Sequence, residues 1–74
     1  MNELIVPVLF EDMESGIINW IKKNGEKVKT GDLIFTLETD KATFEVESEG
    51  EGVLEKKIED GEEVPVLQVV GYLK

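Results

Sequence analysis

Leu33-Ile34-Phe35-Thr36-Leu37-Glu38-Thr39-Asp40-Lys41-Ala42-Thr43-Phe44-Glu45-Val46-Glu47 is the stretch from which the architecture can be read. Leu33, Phe35 and Leu37 alternate with Ile34, Thr36 and Glu38, and Ala42, Phe44 and Val46 alternate with Thr43, Glu45 and Glu47, the period of half-buried strands. If Asp40-Lys41 is a two-residue loop, antiparallel pairing sets Thr39 opposite Ala42, Leu37 opposite Phe44 and Phe35 opposite Val46. The large apolar side chains then share one face, and a slip of one residue would scatter them. Lys41 stands at the hairpin tip. Two-residue loops favour Asn-Gly or Asp-Gly because their backbone needs positive φ, so Asp-Lys meets only the first half of that preference.

Working outward, the chain repeats itself. A shift of 36 residues lays Gly16-Ile17-Ile18 on Gly52-Val53-Leu54, Asn24-Gly25-Glu26 on Asp60-Gly61-Glu62, and Leu33-Ile34 on Val69-Val70. Each half reads as short strands separated by turns, with Asn24-Gly25 and Asp60-Gly61 as hairpin signals and Leu67 to Leu73 as the last strand. No segment holds a helical period. The expectation is an all-β fold: a flattened barrel or sandwich of two four-stranded antiparallel sheets related by a pseudo-twofold axis. In that arrangement the mate of the Lys41 hairpin is the place where the chain ends meet, so Lys41 and the termini belong at opposite ends. Trp20, Phe35, Phe44 and Val46 are assigned to packing, and Tyr72 is left open.

The 74 residues form one domain, 1–74, with no room for a second. The absence of cysteine and histidine excludes Cys/His nucleophilic chemistry, thiolate metal sites and disulfides. The carboxylates lack a metal-ligand spacing. Eight lysines, no arginine and seventeen acids give a net charge of −9, which argues against nucleic acid as a partner and for solubility or for steering by Glu38, Asp40, Glu45 and Glu47 toward basic partner surfaces. No apolar span suits a membrane, and Met1-Asn2-Glu3-Leu4 has no basic signal region, so a cytoplasmic location is expected.

Pro7-Val8-Leu9, Gly16, Trp20, Gly25-Glu26, Gly31-Asp32, Glu38-Thr39-Asp40-Lys41-Ala42, Gly52-Val53-Leu54, Gly61 and Val64-Pro65-Val66 together resemble the lipoyl domain of 2-oxo acid dehydrogenase complexes. The pentapeptide around Lys41 is the specific part. The resemblance implies a non-catalytic carrier in which Lys41 holds lipoic acid through an amide bond. Asp40, Ala42 and Glu38 would serve recognition, with Asp40 holding the turn. Implied partners are a lipoyl-attaching ligase or transferase, a thiamine-diphosphate 2-oxo acid decarboxylase, an acyltransferase and dihydrolipoamide dehydrogenase, the domain itself being monomeric. The related biotinyl domains usually place their lysine between two methionines, whereas Met1 and Met13 lie away from Lys41; an unmodified structural module of the same shape is the further alternative. Two departures stand out: Met13 to Trp20 is one residue shorter than the common form, and Leu67 occupies a position where glycine usually follows Val-Pro-Val. The first bears on the surface loop Phe10 to Ser15, which in the family lies near the modified lysine.

Overall fold

A computed structural model describes residues 2–74; Met1, one of the two methionines weighed above, lies outside the described residues. Among the described residues eight strands are present: β1 (Asn2–Ile5), β2 (Ser15–Trp20), β3 (Lys27–Val28), β4 (Leu33–Glu38), β5 (Thr43–Glu47), β6 (Gly52–Lys56), β7 (Glu63–Pro65) and β8 (Val69–Leu73). They make two antiparallel four-stranded sheets in the orders β1-β8-β6-β3 and β5-β4-β2-β7. The sheets stack as a sandwich and do not close into a barrel. Among the described residues there is no helix, and so none long and apolar enough to cross a membrane.

The repeat is structural as well as sequential. Moving 36 residues on carries β2 onto β6, β3 onto β7 and β4 onto β8, and the two sheet orders superpose with β5 as the counterpart of β1. Four core pairs obey the same shift: Ile18 and Leu54, Val28 and Val64, Ile34 and Val70, Leu37 and Leu73, all buried. Phe35 is buried among them, its ring 5.2 Å from that of Trp20, whose Nε1 donates to the Ile58 carbonyl at 2.8 Å. The aromatic pair fills the sandwich at one end, and Trp20 serves packing as expected.

The Asn-Gly and Asp-Gly signals mark corners rather than hairpins. β2 pairs with β4 and β7, not with β3, so Asn24-Gly25 carries the chain from one sheet to the other, and Asp60-Gly61 does the same between β6 and β7. Both glycines have φ of 86°, the left-handed value a type II turn demands at its third position. Each corner is pinned across the sandwich: Gly25 N donates to the Leu54 carbonyl (2.7 Å) and Gly61 N to that of Ile18 (2.8 Å). The Asn24 and Asp60 side chains accept from Lys56 N and Trp20 N, both at 2.7 Å. Periodicity and turn chemistry find the corner; which strand pairs with which is decided by burying both sheet faces together.

Three further expectations change. The last strand starts at Val69, because Leu67 adopts φ of 70° in a turn closed by Gln68 N to the Pro65 carbonyl. The alternation of β4 breaks at its start: the register shifts between Leu33 and Phe35, so Ile34 is buried and Leu33 only half-buried. Phe44 and Val46, read as inward residues, are half-buried because β5 is an edge strand with the core on one flank only.

Candidate functional site

The site is the turn between β4 and β5. The ladder below it has the register expected from the sequence: Leu37 pairs with Phe44 and Phe35 with Val46, with Glu38 opposite Thr43 at the top. Thr39 N donates to the Ala42 carbonyl at 2.9 Å and closes the loop around Asp40-Lys41. The reciprocal backbone bond is replaced by a side chain. Thr39 Oγ1 accepts from Lys41 N (3.2 Å) and Ala42 N (3.1 Å) and donates to the Ala42 carbonyl (2.7 Å). Hydroxyl caps of this kind are local alternatives to ladder bonds.

This arrangement corrects two expectations. Neither Asp40 nor Lys41 has positive φ, so the turn has no need of Asn-Gly. The hydrogen bonds that hold it come from Thr39, not Asp40, whose carboxylate projects from an exposed position. Glu38, Asp40, Lys41 and Ala42 are all exposed and lie together at one tip.

The loop Val6 to Glu14 packs beside the tip. Lys41 Nζ lies 5.0 Å from the centroid of the Phe10 ring, within cation–π range, and Phe10 stacks on Phe44 at 5.8 Å. Buried Met13 anchors this loop, accepting from Leu9 N through its sulfur (3.3 Å) and donating its own N–H to the Phe10 carbonyl (3.2 Å). An open groove lined by Phe10, Asp12, Glu14, Glu38, Lys41 and Glu63 runs between loop and hairpin. The loop Phe10 to Ser15 lies beside Lys41 as the resemblance implied, but sequence reading singled out neither Thr39 nor Phe10 itself as a site residue. A threonine two residues before the tip is a recognisable turn signal, whereas Phe10, 31 residues upstream of Lys41, carries none in its own neighbourhood.

Among the described residues the ion pairs engage Lys22, Lys57 and Lys74, and none engages Lys41. The same residues hold no cluster of acids able to bind a metal ion. The chain ends lie far off. Asn2 pairs with Leu73, and both pack beside Gly50, just past the end of β5 where Glu47 faces Leu33. The length of β4, about 17 Å at strand rise, separates that end from Lys41.

Comparison with known proteins adds chemistry to this geometry. Residues 2–73 match the family model described as biotin-requiring enzyme, which covers biotin and lipoyl attachment. The dihydrolipoyllysine-residue acetyltransferase component of the pyruvate dehydrogenase complex of Rickettsia typhi is 42% identical over 96% of this chain and 18% of its own length. The dihydrolipoyllysine-residue succinyltransferase component of the 2-oxoglutarate dehydrogenase complex of Bacillus subtilis is 38% identical over 99% of this chain and again 18% of its own. The chain thus spans under a fifth of these relatives. The solution structure of the lipoyl domain of the Azotobacter vinelandii 2-oxoglutarate dehydrogenase complex superposes with a TM-score of 0.78 at 33% identity, covering 100% of this chain and 96% of that one.

Proposed function

We propose that this chain, which belongs to the biotin- and lipoyl-attachment family and within it to the lipoyl domains, is a carrier whose Lys41 is the point of lipoate attachment. One observation carries the assignment to Lys41: it is the lysine at the apex of the exposed β4–β5 turn, with its amine in no ion pair. Attachment joins the Lys41 Nζ to an activated lipoyl carboxyl, expelling the activating group and a proton as the amide forms. Lipoamide, once bound, supplies the acyl-accepting and redox chemistry.

The chain's own residues supply position. The β4–β5 ladder holds the tip away from the body, and the Thr39 clamp fixes the backbone of Lys41. Asp40 and Glu38 flank the amine as exposed carboxylates for recognition by the attaching enzyme, while small Ala42 leaves room beside it. Lys41 and the chain ends lie at opposite ends of the sandwich, so a tether at the termini turns the arm outward. Such a swinging arm replaces diffusion between enzymes with a high local concentration at each. By analogy with the relatives, the stations visited are the decarboxylase, acyltransferase and flavoprotein components of a 2-oxo acid dehydrogenase complex.

Intact-mass measurement after incubation with lipoyl ligase, ATP and lipoic acid tests the assignment. One lipoyl group mapping to Lys41 is expected, and none on Lys41→Arg, which stays folded but presents a poor acyl acceptor. A lipoyl group on Lys22, Lys23 or Lys56 with Lys41 bare would defeat it. Addition by a biotin ligase in place of the lipoyl ligase would move the chain to the biotinyl branch.

A further inference from the structure

We infer that Thr39 is the positioning residue for modification at Lys41: its hydroxyl, not the modified lysine or the neighbouring acid, sets the shape that the attaching enzyme must meet. The inference rests on the proposed attachment site and deepens it. Its basis is the threefold use of one oxygen. Thr39 Oγ1 takes the N–H groups of Lys41 and Ala42 and gives its proton to the Ala42 carbonyl, so it serves three polar backbone groups of the turn, two of which, the Lys41 and Ala42 N–H groups, bond to it alone, while the Ala42 carbonyl also accepts from Thr39 N.

Little else holds this turn. Asp40 and Lys41 lack the positive φ of a self-closing two-residue loop. A single backbone bond, Thr39 N to the Ala42 carbonyl, spans the loop. Below it the β4–β5 ladder and the buried Phe35 and Leu37 hold the strands whatever happens at the tip. Loss of the hydroxyl should therefore loosen the turn without unfolding the sandwich. Position at the tip is then degraded while stability is not, which separates this role from a core role. Misplacing a reacting group by about 1 Å can cost on the order of a hundredfold in rate, so a loosened tip should be felt strongly.

Three variants test it. Thr39→Val keeps shape and β-branching but removes the hydroxyl. Thr39→Ser keeps the hydroxyl. Thr39→Asn replaces it with a side-chain carbonyl able to accept from the same two N–H groups. Initial rates of lipoylation by purified ligase, thermal melts, and hydrogen exchange at the Lys41 and Ala42 amides are measured for each. Expected is a fall in rate of about tenfold or more for Thr39→Val, with faster exchange at both amides and a melt close to that of the wild type, and recovery of both rate and protection in Thr39→Ser and Thr39→Asn. Lipoylation of Thr39→Val at the wild-type rate would overturn the inference. So would a slow Thr39→Asn with protected amides, because the enzyme would then be reading the threonine itself. A wild-type chain that takes no lipoyl group defeats the attachment reading instead, and the amide-exchange series still decides whether Thr39 clamps the turn.

Discussion

The two halves of the molecule use the same backbone bonds and differ where the chain closes. In the first half β4 runs into β5 through the tight turn that carries Lys41. In the second, the corresponding strands β8 and β1 pair in the same way, Leu73 opposite Asn2, but no turn joins them. The corners tell the same story: Lys29 to Asp32 with Gly31 at φ of 92° answers to Pro65 to Gln68 with Leu67 at 70°. Gly31 N reaches the Ser48 carbonyl and Leu67 N that of Val6, both at 2.8 Å. What repeats is the scaffold; what departs from the repeat is the tip that carries Lys41.

The comparison can be broken most severely in the core. Ile18→Ala and Leu54→Ala remove repeat-related side chains that are both buried, and each should cost about 2–5 kcal/mol, within about 1 kcal/mol of the other. Chemical denaturation measures both, and a marked inequality would show that one half stabilises the other rather than matching it. Phe44→Ala should cost less, about 1–2 kcal/mol, because its ring is only half-buried on an edge strand. The neighbouring Thr43→Ala, facing solvent, should cost less than about 0.5 kcal/mol, and a larger loss from it than from Phe44→Ala would refute the register below Lys41.

The corners sharpen the contrast. Leu67 holds a left-handed backbone that costs a side-chain-bearing residue about 1–2 kcal/mol, so Leu67→Gly should stabilise by about 0.5–1 kcal/mol after the entropy of glycine is subtracted. Gly31→Ala should lose about 1 kcal/mol for the same reason in reverse, its added Cβ meeting strain but open space. Thermal melts of the two would show opposite signs; equal signs would mean that contacts of the Leu67 side chain, and not its backbone, set the balance.

The smallest expected effect is acid sensitivity at the two corners of the first half that Lys22 bridges. The backbone N–H of Lys23 on Glu26, and that of Lys29 on Asp32, hold these carboxyls below their ordinary range, aided by Lys22. Their folded pKa values are depressed, so the stability they lend is present above the unfolded carboxylate range near pH 4 and is lost as pH falls through the folded values. Melts between about pH 7 and 2 should show that decline, and Lys22→Ala should make it shallower; an unchanged slope would leave the backbone bonds as the whole cause.

Much of this was legible in the residues. The alternation on either side of Asp40-Lys41 fixed the hairpin register, and the shift of 36 foretold paired sheets with the chain ends opposite Lys41. What escaped was whatever depended on distant partners. Asn24-Gly25 looks like a hairpin turn because local backbone chemistry is the same at a corner; only the burial of Ile18 and Leu54 between two sheets sends β3 to β6. The half-burial of Phe44 follows from β5 having no neighbour on its outer side, which no period within the strand records. The loop Phe10 to Ser15 was expected beside Lys41 from the resemblance, but the seating of the Phe10 ring under the amine depends on a loop course held by buried Met13, which no local period records. Thr39 was also missed, although its hydroxyl acts within three residues and turn chemistry alone would have sufficed to find it.

The pairing of Asn2 with Leu73 also determines how the fold meets mechanical force. A pull on the polypeptide entering at Asn2 and leaving near Lys74 acts on two neighbouring strands from the same end, so the hydrogen bonds between β1 and β8 are loaded one after another, as in a zipper, and not all at once. Tension arriving through a flexible tether is spent first in peeling β1 from the sheet edge. The β4–β5 hairpin belongs to the other sheet and lies at the far end, outside the line of load. A tug strong enough to fray the attachment end would leave the shape presented at Lys41 unchanged.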